Sequence, residues 1–219
     1  MTFLPGHFPA GAPSFVEKLT TISFIQAFGG TDTSVTAPSD IHEGDLIIFI
    51  NVAGEYGGTQ TTVPTGFTLI QNRWGSGNAA FNVSGKITVS SDAGSTLSGL
   101  TASDFRQILG LHYRGNSKLR SISSAQDAFY AETSGNPGGD TVGSSAGTLP
   151  TIAFGIAWTS GSDAILEIDG STSGLISVNA PLKMGHRIYN IGDTPDDHFI
   201  DAGDAGGFNQ LLGFYLNFT

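Results

Sequence analysis

Short apolar segments, each closed by Gly, Pro, Asn, Asp or Ser, run through the chain from Lys18 onward. No segment carries a sustained apolar stripe at the 3.6-residue spacing of a helix. This pattern constrains the fold more than any other feature, because only sheets can bury so many short apolar runs. It predicts strands over 21–28, 46–52, 67–72, 81–89, 107–113, 151–158, 164–168, 175–178, 182–189 and 211–218. In Lys86-Ile87-Thr88-Val89-Ser90 the alternation puts Ile87 and Val89 on one face. Leu46-Ile47-Ile48-Phe49-Ile50 is apolar throughout and reads as a strand covered on both faces. Only 102–108, with Ser103 and Asp104 as caps, could hold a helical turn. The expected class is all-β: a two-sheet, jelly-roll-like β-sandwich spanning residues 15–219, without internal repeat or heptads.

Composition narrows the functions open to such a chain. Charged residues are 13% of the 219, against about 25% in an average globular protein, and the net charge is −10. Binding to nucleic acid is not expected, since it needs clustered Lys and Arg. The absence of Cys excludes disulfides, thiol chemistry and zinc–thiolate sites. The longest apolar run, 46–50, is far below the roughly 20 residues that span a bilayer, and the first residues have no basic region, so neither membrane anchor nor signal peptide is expected.

Residues 1–14 read as an extended arm, because Pro5, Pro9 and Pro13 disfavour both helix and inner strand. Phe3, Leu4 and Phe8 are its candidate anchors, either folded back on their own domain or docked on a neighbouring subunit. The Gly- and Ser-rich stretch 133–148 reads as a long loop within the domain.

Catalytic patterns are weak. Gly143-Ser144-Ser145-Ala146-Gly147 fits G-x-S-x-G, but no strand precedes it and no helix follows. His7, His42, His112, His186 and His198 form no spaced metal pair, and His112 and His186 read as hydrogen-bonded strand residues. Asp193, Asp196, Asp197, Asp201 and Asp204 crowd one late segment, where a solvated loop is the ordinary meaning. The first four of these are weak calcium candidates, because their spacing matches no known calcium loop. Arg106, Arg114, Lys118 and Arg120 gather within fifteen positions, as a solvated face or a contact patch for an acidic neighbour. Tyr56, Trp74, Phe129 and Tyr130 lie in polar, loop-like sequence and are the candidate glycan- or ligand-contact residues, whereas Trp158 ends an apolar strand and reads as core. No cofactor is expected.

One ordered series is more specific. It runs Ala37-Pro38-Ser39-Asp40-Ile41-His42-Glu43-Gly44-Asp45-Leu46-Ile47-Ile48-Phe49, then Val63-Pro64-Thr65-Gly66-Phe67-Thr68-Leu69-Ile70, then Tyr113-Arg114-Gly115, then Leu149-Pro150-Thr151 leading into Ile152–Ala157. From about Ser34 to the last residue the chain resembles a β-sandwich domain of phage virion proteins, found in fibres, spikes and other host-facing parts, with Phe67 where those relatives carry Trp. The resemblance implies a non-enzymatic structural component on the exterior of a phage or phage-like virion: a head or tail spike, fibre or decoration subunit. Its implied partners are other capsid or tail proteins and further copies of itself, as a homo-oligomer such as a trimer. The alternative is a carbohydrate-binding or adhesin module for a host surface glycan; a glycosidase ranks below both.

Overall fold

A computed structural model describes residues 18–30, 34–54, 63–74, 79–97, 105–133, 139–142, 148–159, 166–168, 176–179, 182–194, 197–201 and 209–219. The strands of the first half are β1 (Ile22–Gly30), β2 (Val35–Thr36), β3 (Leu46–Gly54), β4 (Thr68–Trp74), β5 (Ala79–Ile87), β6 (Thr96–Leu97) and β7 (Phe105–Gly115). Those of the second are β8 (Gln126–Thr133), β9 (Asp140–Val142), β10 (Thr151–Thr159), β11 (Glu167–Ile168), β12 (Ile176–Asn179), β13 (Leu182–Tyr189), β14 (His198–Asp201) and β15 (Asn209–Asn217). The only helical element among the described residues is a 3-10 turn at Ser90–Asp92.

Every predicted strand is present, and the all-β sandwich is the observed architecture. Two five-stranded antiparallel sheets, β1-β7-β3-β5-β4 and β12-β13-β10-β15-β8, face each other. Leu46, Ile48, Ile50, Val52, Leu109, Leu111 and Tyr113 of the first interleave with Ile152, Phe154, Ile156, Trp158, Leu212, Phe214 and Leu216 of the second in one core. The run at 46–50 is apolar throughout because β3 is buried on both faces: Ile47 and Phe49 point outward into a second cluster with Val35, Ile41 and Leu97. Likewise Ala153, Ala157 and Leu211 pack outward against Leu166 and Ile200. The pairs β2–β6 and β9–β14, the latter extended by β11, supply these outer covers.

Three local expectations differ. Val89 lies beyond the end of β5 and is exposed, since the chain turns into the 3-10 segment there. Within 102–108 the described residues belong to β7, which starts at Phe105. Part of the 133–148 stretch is strand β9, paired with β14.

A fourth difference is larger: the chain contains a structural repeat. Counting the main strands of each half in chain order, the first sheet reads 1-5-2-4-3, and the second, taken from its β8 edge, reads 1-5-2-4-3 as well. In each half the covering pair joins a strand lying between main strands 1 and 2 to one lying between 4 and 5. Register makes the equivalence residue by residue. Phe49 pairs with Gly110 and Ser84, as Gly155 pairs with Gly213 and Gly185. Gln107-Ile108-Leu109-Gly110-Leu111-His112-Tyr113 therefore corresponds in register to Gln210-Leu211-Leu212-Gly213-Phe214-Tyr215-Leu216, and Lys86-Ile87 to Arg187-Ile188. Phe28 lies opposite Gly110 and Phe129 opposite Gly213, each packing into its half's outer cluster. All four edge strands, β1, β4, β8 and β12, carry a register irregularity, which blunts them against edge-to-edge pairing.

Candidate functional site

The ionisable groups of the interior are tied to one another at strand ends. Asp45, 3% exposed, starts the run into β3. Its carboxylate accepts from Arg114 Nε at 2.9 Å and Nη2 at 2.8 Å, from the His42 backbone N–H at 2.8 Å, and from His112 Nε2 at 2.8 Å. Burial alone would raise the Asp45 carboxyl, but these donors together hold it below the usual carboxylate range. Arg114, in turn, is held above its ordinary value by Asp45. His112 is fully buried, and its Nδ1 has no partner, which suits the tautomer that carries the proton on Nε2. The cluster neutralises itself and is closed to solvent on the histidine side, so it braces β3 against β7.

A second histidine sits between the sheets. The Tyr113 hydroxyl lies 2.9 Å from His186 Nδ1, and Phe24 packs edge-on against both rings. Burial first, and the neighbouring Arg187 charge second, lower His186 to about 4, while burial raises Tyr113. Tyr189 and His198 stack and hydrogen-bond where β13 meets the cover of the second half.

One end of the sandwich is stitched by bonds between the halves and by bonds from the segment that links them. Leu119 N–H donates to Gly44 O, Arg120 and Ser121 N–H to Thr219 O, Ile191 N–H to Thr20 O, and Ile22 N–H to Asn190 Oδ1. Asn116 Oδ1 accepts from Thr20 and Thr21 N–H. Lys18, Leu19, Lys118, Arg120, Leu149 and Thr219 surround a hollow of about 310 Å³ at this end. The chain thus enters the fold beside its last residue.

The sequence-predicted site residues fall apart when placed. Phe3, Leu4, Phe8, Tyr56 and Asp196 lie outside the described residues. Trp74 ends β4 opposite Ala80. Phe129 and Tyr130 are not loop residues: both lie in β8, half-buried on opposite faces, Phe129 in the outer cluster and Tyr130 against the main core. The alternation Ala128/Tyr130 against Phe129 carried that signal, but the polar flanks at Gln126, Asp127 and Glu132 obscured it. Asp193 caps a turn, accepting from Asn190 N–H at 2.7 Å, Asp197 is exposed, and Asp201 ends β14 opposite Glu167. Among the described residues no three His, Asp or Glu side chains converge as a metal site would require. Of the basic group, Arg114 joins Asp45, Lys118 pairs with Glu43 at 2.8 Å, and Arg120 lines the hollow.

Neither family models, curated proteins nor solved structures match this chain.

Proposed function

We propose that this chain is a non-enzymatic structural subunit of a phage or phage-like particle, carried on the particle exterior by its N-terminal arm. The observation that carries this reading is the stitched end. Residue 18 enters the sandwich beside Thr219, where backbone bonds from both halves converge. An arm attached at that point would pull on strand ends that are bonded to one another. The motifs behind the virion resemblance support a scaffold role. Gly44, at φ 86°, and Gly66, at φ 83°, make the turns that launch β3 and β4, conformations that favour glycine. Asp45 and Arg114 form the brace, and Pro150-Thr151 opens β10. Few charges and an apolar arm suit a surface used in assembly with capsid or tail proteins and with further copies of the chain.

Deleting residues 1–14 tests the reading. The truncated chain is expected to fold, with unchanged far-ultraviolet circular dichroism, yet to be missing from purified particles by mass spectrometry. Normal incorporation of the truncated chain would refute attachment through the arm.

A further inference from the structure

The repeat supplies an internal control for the two flanks of the sandwich. On the flank where β1 meets β12 and β13, Phe24, Tyr113 and His186 fill the space between the sheets, with ring centroids 5.0–5.6 Å apart. On the other flank the equivalent positions are Ala125, Leu216 and Gly85. Ala125 follows by continuing the Tyr215–Gln126 pairing, Leu216 matches Tyr113, and Gly85 matches His186. All three are smaller. The fold therefore closes one flank with three rings, whereas on the other Ile70 and Ile122 fill the space at Gly85 and an open groove lies outside them.

The open flank is a groove of about 450 Å³ running between β4 and residues 120–124. Its floor is Ile70 and Ile122, whose Cδ1 atoms would lie 2.8 and 2.9 Å from a Cβ at Gly85, so they occupy the room that glycine vacates. Its rim carries hydroxyls and two cations, Lys86 and Arg120, and no described lining residue is acidic. Lys86 is neutralised by Asp92 at 2.5 Å, whereas Arg120 has no carboxylate partner among the described residues. The Ser124 hydroxyl accepts from Gln126 Nε2 and keeps its own proton to donate. Arg120 also lines the neighbouring hollow with Lys18 and Lys118; Lys118 is paired with Glu43 at 2.8 Å, so the cation that the two concavities share is Arg120.

We propose that this groove is a binding site for an acidic oligosaccharide. A sugar carboxylate would meet the Arg120 guanidinium, its hydroxyls the Ser and Thr rim, and its C–H faces the isoleucine floor. An acidic peptide added along the open edge of β4 fits less well. The bulge between Leu69 and Gln71 breaks the ladder that strand addition needs, at the point where β4 borders the groove. The site is independent of arm attachment, since it would bind whether or not the chain enters a particle.

The test is calorimetric titration of the full chain with tetragalacturonate and with tetrasialic acid, using maltotetraose and hexaglutamate as comparators. At least one acidic saccharide is expected to bind more tightly than maltotetraose, with affinity falling as salt rises. Arg120→Glu, an exposed change, is expected to weaken that binding by about tenfold or more, as loss of a charge-assisted contact implies. Gly85→His, which rebuilds the filled flank, is expected to weaken it as well; a soluble, folded variant is confirmed by circular dichroism before titration. The proposal is overturned if neither acidic saccharide binds, if maltotetraose binds equally, if hexaglutamate alone binds, or if Arg120→Glu leaves affinity unchanged.

Discussion

Arg114 holds both carboxylate oxygens of Asp45 at the register position where, in the second half, Thr151 Oγ1 donates to Asn217 Oδ1 at 2.8 Å. The same strand-end tie is thus made once with charges and once without. That correspondence identifies the ionic cluster as a structural brace: its neutral counterpart does the same mechanical work with groups that have no acid–base chemistry near neutral pH.

Asp45→Ala is expected to destabilise the fold by about 2–4 kcal/mol, because it strands the buried His112 Nε2–H and uncouples Arg114. Replacing both partners by the neutral pair, Asp45→Thr with Arg114→Asn, should recover part of that loss; urea denaturation of the three variants measures it. The Asp45 contribution is also pH-dependent. Its folded pKa lies below the ordinary 3.8, so the unfolded chain takes up the proton first on acidification. The stabilisation is full above the unfolded value and is lost as pH falls from there through the folded one.

His186 governs a second, separate window. Its pKa of about 4 against 6.5 in the unfolded chain means that the unfolded state binds more protons between those values. Stability should therefore be full above pH 6.5 and decline as pH falls towards 4, by about 3 kcal/mol for this one group. His186→Gln, which can still meet the Tyr113 hydroxyl, is expected to flatten stability between pH 6.5 and 4. Denaturant midpoints at several pH values check this, and an unchanged slope in the variant would assign the effect to another group.

The repeat predicts that chain order matters less than strand register. Lys18 and Thr219 border one hollow, and Arg120, in the crossing segment between the halves, borders it too. A circular permutant that joins residue 219 to residue 18 by a short Gly/Ser linker, and opens within 121–124, keeps every main-strand pairing. It should unfold cooperatively with a circular dichroism spectrum like that of the parent. Failure to fold would show that the bonds from Ser121, Ile122 and Ser123 to Asn217, Phe218 and Thr219 need an unbroken crossing segment.

The strands were legible in the sequence because burial on both faces writes itself as uninterrupted apolar runs, as at Leu46–Ile50, and burial on one face as alternation. β8 was the main strand missed, since Asp127 and Glu132 sit within a segment whose apolar residues divide between two clusters. The repeat was hidden for a related reason. Side chains at equivalent positions need only keep their direction and their total volume, so Phe49 can answer to Gly155, and Tyr113 to Leu216, while the sheets stay congruent. Amino-acid identity persists at a few places, as at Gly110 and Gly213, each opposite a phenylalanine of its edge strand, and at Ile50 with Ile156 and Ile87 with Ile188.

By itself the sequence determined an all-β sandwich with glycine and proline turns, an interior without thiols, and a net negative, sparsely charged surface. Those follow from composition and from periods of one and two residues, which are local. Tertiary structure alone decided that the chain folds as two congruent halves, that Asp45, His112 and Arg114 spend their charge on a brace, and that one flank is filled while its mate is an open groove. Each of these depends on which residues, about seventy positions apart in the brace and about a hundred between the halves, are brought into register, and sheet pairing sets that distance without leaving a periodic trace in the sequence.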